Sequence, residues 1–155
     1  MTAPARVLIV EDQVGDLYWL LDLIHSRGYE VVVVTNEAAA QERLRAVKDG
    51  TDSFRLAIMD IMVAVKDLKD LVNLDERFFE DSKRTGIRLC HLARDKDKLG
   101  LTADQLPIVC LTVRDDEEVR EAMKALGIPF YNKAPNTPSE SIREFIEDRL
   151  PTLAG

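Results

Sequence analysis

Residues 6–12 read Arg6-Val7-Leu8-Ile9-Val10-Glu11-Asp12, an apolar run that ends abruptly in two acids. Consecutive aliphatic residues with no polar alternation suit a strand buried on both faces of a parallel sheet. The same reading recurs at 30–34 (EVVVV), 55–59 (RLAIM), 107–111 (PIVCL) and 128–132 (IPFYN). Amphipathic segments separate these runs. Val14, Leu17, Leu21 and Ile24 form a helical stripe that Gly28 can terminate in a left-handed conformation. Asn36 is placed to cap a second helix that carries Ala40, Leu44 and Val47 inward. Val119, Ala122, Met123 and Leu126 mark a later helix, with acids at 115–118 in its first turn and Gly127 past its end. The last helix opens on Thr137, Pro138 and Glu140, a capping box with proline in the first turn. It buries Ile142, Phe145 and Ile146 and stops before Pro151. Five strands alternating with five helices predict an α/β fold, a doubly wound five-stranded parallel sheet with right-handed crossovers.

Length and composition agree with one domain over residues 1–155. Hydrophobic residues at 46% supply a full core, and a net charge of -7 is the wrong sign for a surface that neutralises phosphates, so no direct nucleic-acid contact is expected. No stretch approaches the roughly 20 apolar residues of a membrane span, and the N-terminus meets acid too early for a signal peptide. A cytoplasmic protein is expected. Cys90 and Cys110 fall in a helix and a buried strand and read as reduced core thiols. Cys90 and His91 are adjacent on a helix and point apart, a poor chelating pair.

One segment breaks the spacing. Between the third strand and the helix that resumes near Thr85-Gly86-Ile87 lies an insertion at 64–84, far longer than the usual βα loop of roughly 2–6 residues. Its apolar residues, among them Leu68, Leu71, Val72, Phe78 and Phe79, have partly helical spacing. A short helix packed on the domain's own flank is expected there, in preference to a lid or a partner surface.

Ligands of doubly wound sheets bind at the carboxyl ends of the strands, where strand order reverses. Those ends carry Glu11 and Asp12, then Asp60, Thr112 and Lys133. In the flavodoxin-like order 2-1-3-4-5 the first and third strands are neighbours, so three carboxylates crowd one pocket. Two such charges about 4 Å apart repel by roughly 4 kcal/mol at an effective dielectric of 20. A Mg²⁺ ion removes that cost, because hard carboxylate oxygens with a carbonyl and waters match its octahedral preference. Thr112 can donate its hydroxyl to a phosphoryl oxygen, and Lys133 offers a compact positive charge to another. Phosphoryl transfer onto a carboxylate, with Asp60 as nucleophile, uses all five residues. Taken singly, each is an ordinary strand-end or capping residue; their joint placement at four strand ends carries the reading.

Val7-Leu8-Ile9-Val10-Glu11-Asp12-Gln13, Leu56-Ala57-Ile58-Met59-Asp60-Ile61-Met62, Leu111-Thr112 and Phe130-Tyr131-Asn132-Lys133 together resemble the receiver domain of bacterial two-component response regulators. The resemblance spans nearly the whole chain except the insertion. It implies a phosphoacceptor module of a phosphorelay, not an enzyme with an external substrate. Asp60 would receive a phosphoryl group from a histidine kinase or histidine phosphotransfer protein. Asp12 and Asp60 would hold Mg²⁺ directly, Glu11 through water and Met62 through its backbone carbonyl. Thr112 and Lys133 would bind the phosphoryl group, and Thr112 with Phe130 would form the conformational switch. Signalling would run to a downstream protein through contacts, at the fourth helix, fifth strand and fifth helix, or through the first helix where Tyr18 and Trp19 can lie outside the core stripe. With only residues 151–155 after the last helix, no output domain is expected, and a homodimer is left open.

The chain departs from the family pattern in three respects. Val113 replaces a usually small residue, Lys133-Ala134-Pro135 replaces the usual Lys-Pro pair, and Met62 and Arg114 occupy the positions that tune water attack on the phosphoaspartate. Neither side chain can orient water as a carboxylate or amide would, so slow self-dephosphorylation is expected. Two alternatives compete. A receiver-like module that works by binding alone is opposed by the acidic triad, which a degenerate site would be expected to lose. A haloacid-dehalogenase-type phosphatase would need a second aspartate two residues after the nucleophile, where this chain has Met62.

Overall fold

The computed structural model describes residues 5–11, 17–60, 84–112, 117–132 and 140–153. In chain order they form β1 (Arg6–Val10), α1 (Tyr18–Ser26), β2 (Glu30–Val34), α2 (Glu37–Asp49), β3 (Leu56–Met59), α3 (Thr85–Arg94), β4 (Ile108–Thr112), α4 (Glu117–Leu126), β5 (Phe130–Asn132) and α5 (Glu140–Arg149). The strands make one sheet in the order β2-β1-β3-β4-β5 with every pairing parallel, the architecture expected from the apolar runs.

Side chains alternate across a strand, and here both faces are covered. Leu8, Val10, Ala57, Met59, Ile108 and Cys110 point to a core shared with Ala40 and Leu44 of α2, Leu89 and Cys90 of α3, and Val119 and Met123 of α4. Val7, Ile9, Leu56, Ile58, Val109 and Leu111 face the other way, against Leu20 and Ile24 of α1 and Ile142 and Ile146 of α5. This division is why the strands read as unbroken apolar runs.

The helix ends follow local chemistry. The Asn36 side chain accepts the Ala39 N–H at 2.9 Å and so starts α2 as expected. After α4, Gly127 takes φ 68°, which lets the Ile128 N–H reach back to the Met123 carbonyl at 2.9 Å. That bond corrects the expected fifth strand. Ile128 belongs to the helix cap and Pro129 has no N–H, so pairing begins only at Phe130. β3 and β4 likewise start one residue later than expected, at Leu56 and Ile108. In α1 the stripe widens to include Leu20: Leu17, Leu20 and Ile24 are buried, and Leu21 packs on the same core while only partly buried. Val14, the Thr137-Pro138 cap and residues 64–83 of the insertion lie outside the described residues.

Residues 147–153 are tied down. The Arg27 guanidinium donates to the carbonyls of Leu150 and Glu147, the Tyr29 hydroxyl donates to the Pro151 carbonyl at 2.7 Å, and the Leu153 N–H bonds the Arg27 carbonyl at 2.8 Å. Four hydrogen bonds thus hold the last turn of α5 and the segment after it against the α1–β2 turn. Among the described helices none is long and apolar enough to cross a membrane.

Both cysteines are buried and free, as expected of core thiols. Burial pushes the Cys90 thiol up from 9.0 to about 12, with Arg94 opposing the shift. The folded state therefore holds this proton more tightly than the unfolded chain does. The resulting stability is fully present below about pH 9 and lost as pH rises toward 12. Denaturant titrations across that window should show stability declining more steeply in the wild type than in Cys90→Ala.

Candidate functional site at the carboxyl edge of the sheet

The site is built by strand register. Val10 of β1 pairs with Met59 of β3, and the ladder continues one residue further, where the Asp60 N–H donates to the Val10 carbonyl at 3.0 Å. On the other side of β1 the Glu11 N–H donates to the Val34 carbonyl, also at 3.0 Å. Glu11 and Asp60 are thereby level on adjacent strands, whose axes lie about 4.8 Å apart. Both residues are buried, at 3% and 6% exposure, and Thr85 is the third buried polar residue among those described.

Local packing explains why this edge is fixed. Met59 sits in the core with its sulfur 3.9 Å from that of Cys90, so α3 packs directly beneath the residue preceding Asp60. Ile9 and Ile58, on the opposite face, are covered by α1 and α5. Apolar burial on both faces leaves little freedom for the strand ends.

Thr112 closes β4 and pairs through its backbone with Asn132, the last residue of β5. Since Met59 is level with Cys110, Thr112 stands one step beyond Asp60 at the same edge. Phe130 pairs with Cys110 and is half-buried against the core shared by α2, α3 and α4. Its neighbour Tyr131 takes the other face and meets Phe145 of α5, ring centroids 5.5 Å apart. The structure thus places Glu11 and Asp60 directly after β1 and β3, Thr112 at the end of β4 and Phe130 at the start of β5. Asp12, Met62, Val113, Arg114 and the residues 133–135 lie outside the described residues.

Sequence reading overlooked Thr85. It is fully buried as the first residue of α3, where its hydroxyl accepts from the Arg88 guanidinium at 3.2 Å. A threonine at the reopening of the helical pattern was the available signal, but nothing in the pattern marks it as buried.

A buried pair of hard oxygen donors suits a divalent cation of the Mg²⁺ or Mn²⁺ type and is a poor match for thiolate-seeking metals. Among the described residues no cluster of three His, Cys, Asp or Glu forms, and the third acid of the expected set is Asp12.

No family model matches the chain, and no curated protein is detectably similar to it. Solved structures are. The Mn²⁺-bound form of the response regulator Rcp1 superposes with a TM-score of 0.65 at 18% identity, over 97% of this chain and 98% of that one. A CheY-like response regulator receiver domain protein from Methanospirillum hungatei JF-1 gives 0.61 at 20% identity, covering 96% and 94%. The BeF3-activated N-terminal receiver domain of RstA from Klebsiella pneumoniae gives 0.61 at 20% identity, covering 94% and 98%. The chain has the receiver fold. Within it, the first turn of α1 carries Tyr18, 67% exposed, beside a partly buried Trp19 that packs on the α1/α5 core. Of the two aromatics expected to lie outside the core stripe, Tyr18 does so fully and Trp19 in part.

Asp60→Asn replaces one of two buried, in-register acids with a neutral amide, and in chelator it is expected to be more stable to denaturant than the wild type. Added divalent cation should narrow that gap by stabilising the wild type alone.

Proposed function

We propose that the chain is the phosphoacceptor receiver of a two-component phosphorelay, phosphorylated on Asp60 in a Mg²⁺-dependent reaction and signalling through protein contacts. The observation that carries the reading is the buried, in-register pair Glu11 and Asp60 at the carboxyl edge of a sheet ordered β2-β1-β3-β4-β5. Ligand chemistry in such sheets takes place at that edge. The likeness to receivers named as Mn²⁺-bound and BeF3-activated supports it.

An Asp60 carboxylate oxygen attacks the phosphorus of a phosphohistidine on a kinase or phosphotransfer partner. The new P–O bond forms as the P–N bond breaks, and the imidazole departs with its electron pair and is protonated from solvent. The product is an aspartyl phosphate. Glu11, Asp12, Asp60 and the Met62 carbonyl would hold Mg²⁺, which when bound supplies positive charge to the carboxylates and to the phosphoryl oxygens. Thr112 donates its hydroxyl to one phosphoryl oxygen and Lys133 its ammonium to another. Their attraction to the new dianion draws the end of β4 toward Asp60 and frees the space into which Phe130 turns. A pre-existing equilibrium between two arrangements of the α4, β5 and α5 surface is thereby shifted. Exposed Tyr18 on α1 is suited to docking the histidine-bearing partner.

Intact mass after incubation with acetyl phosphate and Mg²⁺ tests this. The wild type should gain one phosphoryl group, and Asp60→Asn or a sample in chelator should gain none. No gain in a wild type that still binds Mg²⁺ would replace the proposal with a module that acts by binding alone. Once formed, the phosphoprotein should decay slowly, because Met62 and Arg114 cannot orient the attacking water. Decay as fast as that of a typical chemotaxis regulator would remove this part of the reading.

A further inference from the structure

Away from the carboxyl edge, α2 and α3 enclose a groove of about 310 Å³ lined by Glu37, Gln41, Arg88, His91, Leu92 and Lys98. These residues come from two helices and the turn that follows α3. The turn is rigidly placed: the Leu99 and Leu101 N–H groups bond the Leu92 and Ala93 carbonyls at 3.1 and 2.7 Å, and the Arg94 guanidinium holds the carbonyls of Leu101 and Thr102. Lys98 is therefore presented beside His91 by a braced loop.

The one carboxylate of the groove is already engaged. Glu37, its side chain only 13% exposed, accepts from Arg88 Nε at 3.0 Å, and Arg88 also donates to Thr85. What remains toward solvent is Lys98, His91 and Gln41, whose side chains form no hydrogen bond or ion pair with one another or with any other described residue, around the apolar side chain of Leu92. With Arg88 paired to Glu37, the lining keeps one formal positive charge, that of Lys98, on a chain whose net charge is -7. Arg88 and Lys98 stand exposed at the rim, so the groove is shallow. A small metabolite would keep much of its surface in water there, whereas ligand pockets usually bury 70–90% of a small ligand. A protein segment needs no such enclosure, because contacts on either side of the groove share the work.

We propose that the α2–α3 groove docks an acidic segment of a partner protein, its carboxylates meeting Lys98 and His91 and an apolar side chain resting on Leu92. The proposal does not depend on phosphorylation of Asp60. Complementary charge at such a surface mainly sets partner choice and encounter rate, and its effect falls with added salt.

The test is a titration of ¹⁵N-labelled full-length protein with a short capped peptide of glutamates and leucines, alongside its glutamine counterpart. Saturable shifts confined to the amides around Gln41, His91, Leu92 and Lys98 are expected with the glutamate peptide and none with the glutamine one. Lys98→Glu, a change at an exposed position that should fold normally, is expected to weaken binding about tenfold or more. Absence of saturable shifts, or affinity unchanged in Lys98→Glu, would overturn the proposal. So would inorganic phosphate displacing the peptide from the same amides, since that marks a small-anion pocket. Acetyl phosphate labelling of Lys98→Glu separates the two readings: loss of peptide binding with labelling intact concerns the groove alone.

Discussion

The Asp60 N–H bonded to the Val10 carbonyl fixes most of what this protein can do. That bond keeps the end of β3 in parallel register with the end of β1 and brings a second carboxylate level with Glu11. Shifting the register by one residue would turn Met59 and Ile58 to the wrong cores and carry Asp60 away from its partner. The chemistry of the edge and the packing of the sheet are therefore one constraint. Two apolar faces hold the register, and the register juxtaposes charges that an isolated strand would keep apart.

The two faces are not held alike. On the side of α2, α3 and α4, the helices are linked at their outer surfaces by ion pairs, Arg88 with Glu37 and Arg84 with Glu118, with the arginines largely exposed. Pairs of this kind contribute about 0–1 kcal/mol each. On the side of α1 and α5, Tyr131 meets Phe145 and the segment after α5 is bonded to the α1–β2 turn. Phe130 and Tyr131, neighbours on β5, thus look onto two different cores, one whose helices are also joined by surface ion pairs and one closed by the hydrogen bonds to the α1–β2 turn.

Much of this was legible in the sequence for a simple reason. Short apolar runs rich in Val and Ile, such as 7–10, suit strands buried on both faces, and a doubly wound sheet places the residues that follow them at one edge. Glu11, Asp60 and Thr112 could be found because each directly follows or closes such a run. The strand boundary at Ile128 has a local cause, since that residue is claimed by the cap of α4, and the α1 stripe is wider than the sequence reading made it, with Leu20 buried beside Leu21. The α2–α3 groove was invisible for a different reason. It joins residues 37 and 98 with no shared motif, and only the packing of α2 on α3 brings them together.

The bonds between the α1–β2 turn and residues 147–153 have a practical side. Arg27 and Tyr29 precede β2, whose first residue is level with Arg6, the first residue of β1. The chain leaving Leu153 therefore departs from the amino edge of the sheet, about 16 Å of strand from Glu11. That is roughly two Debye lengths at physiological ionic strength, so charge carried beyond this point is largely screened from the acidic edge. A fluorophore, an affinity tag or a surface anchor attached after residue 153 would ride on a braced mount and leave the carboxyl edge open to its visitors.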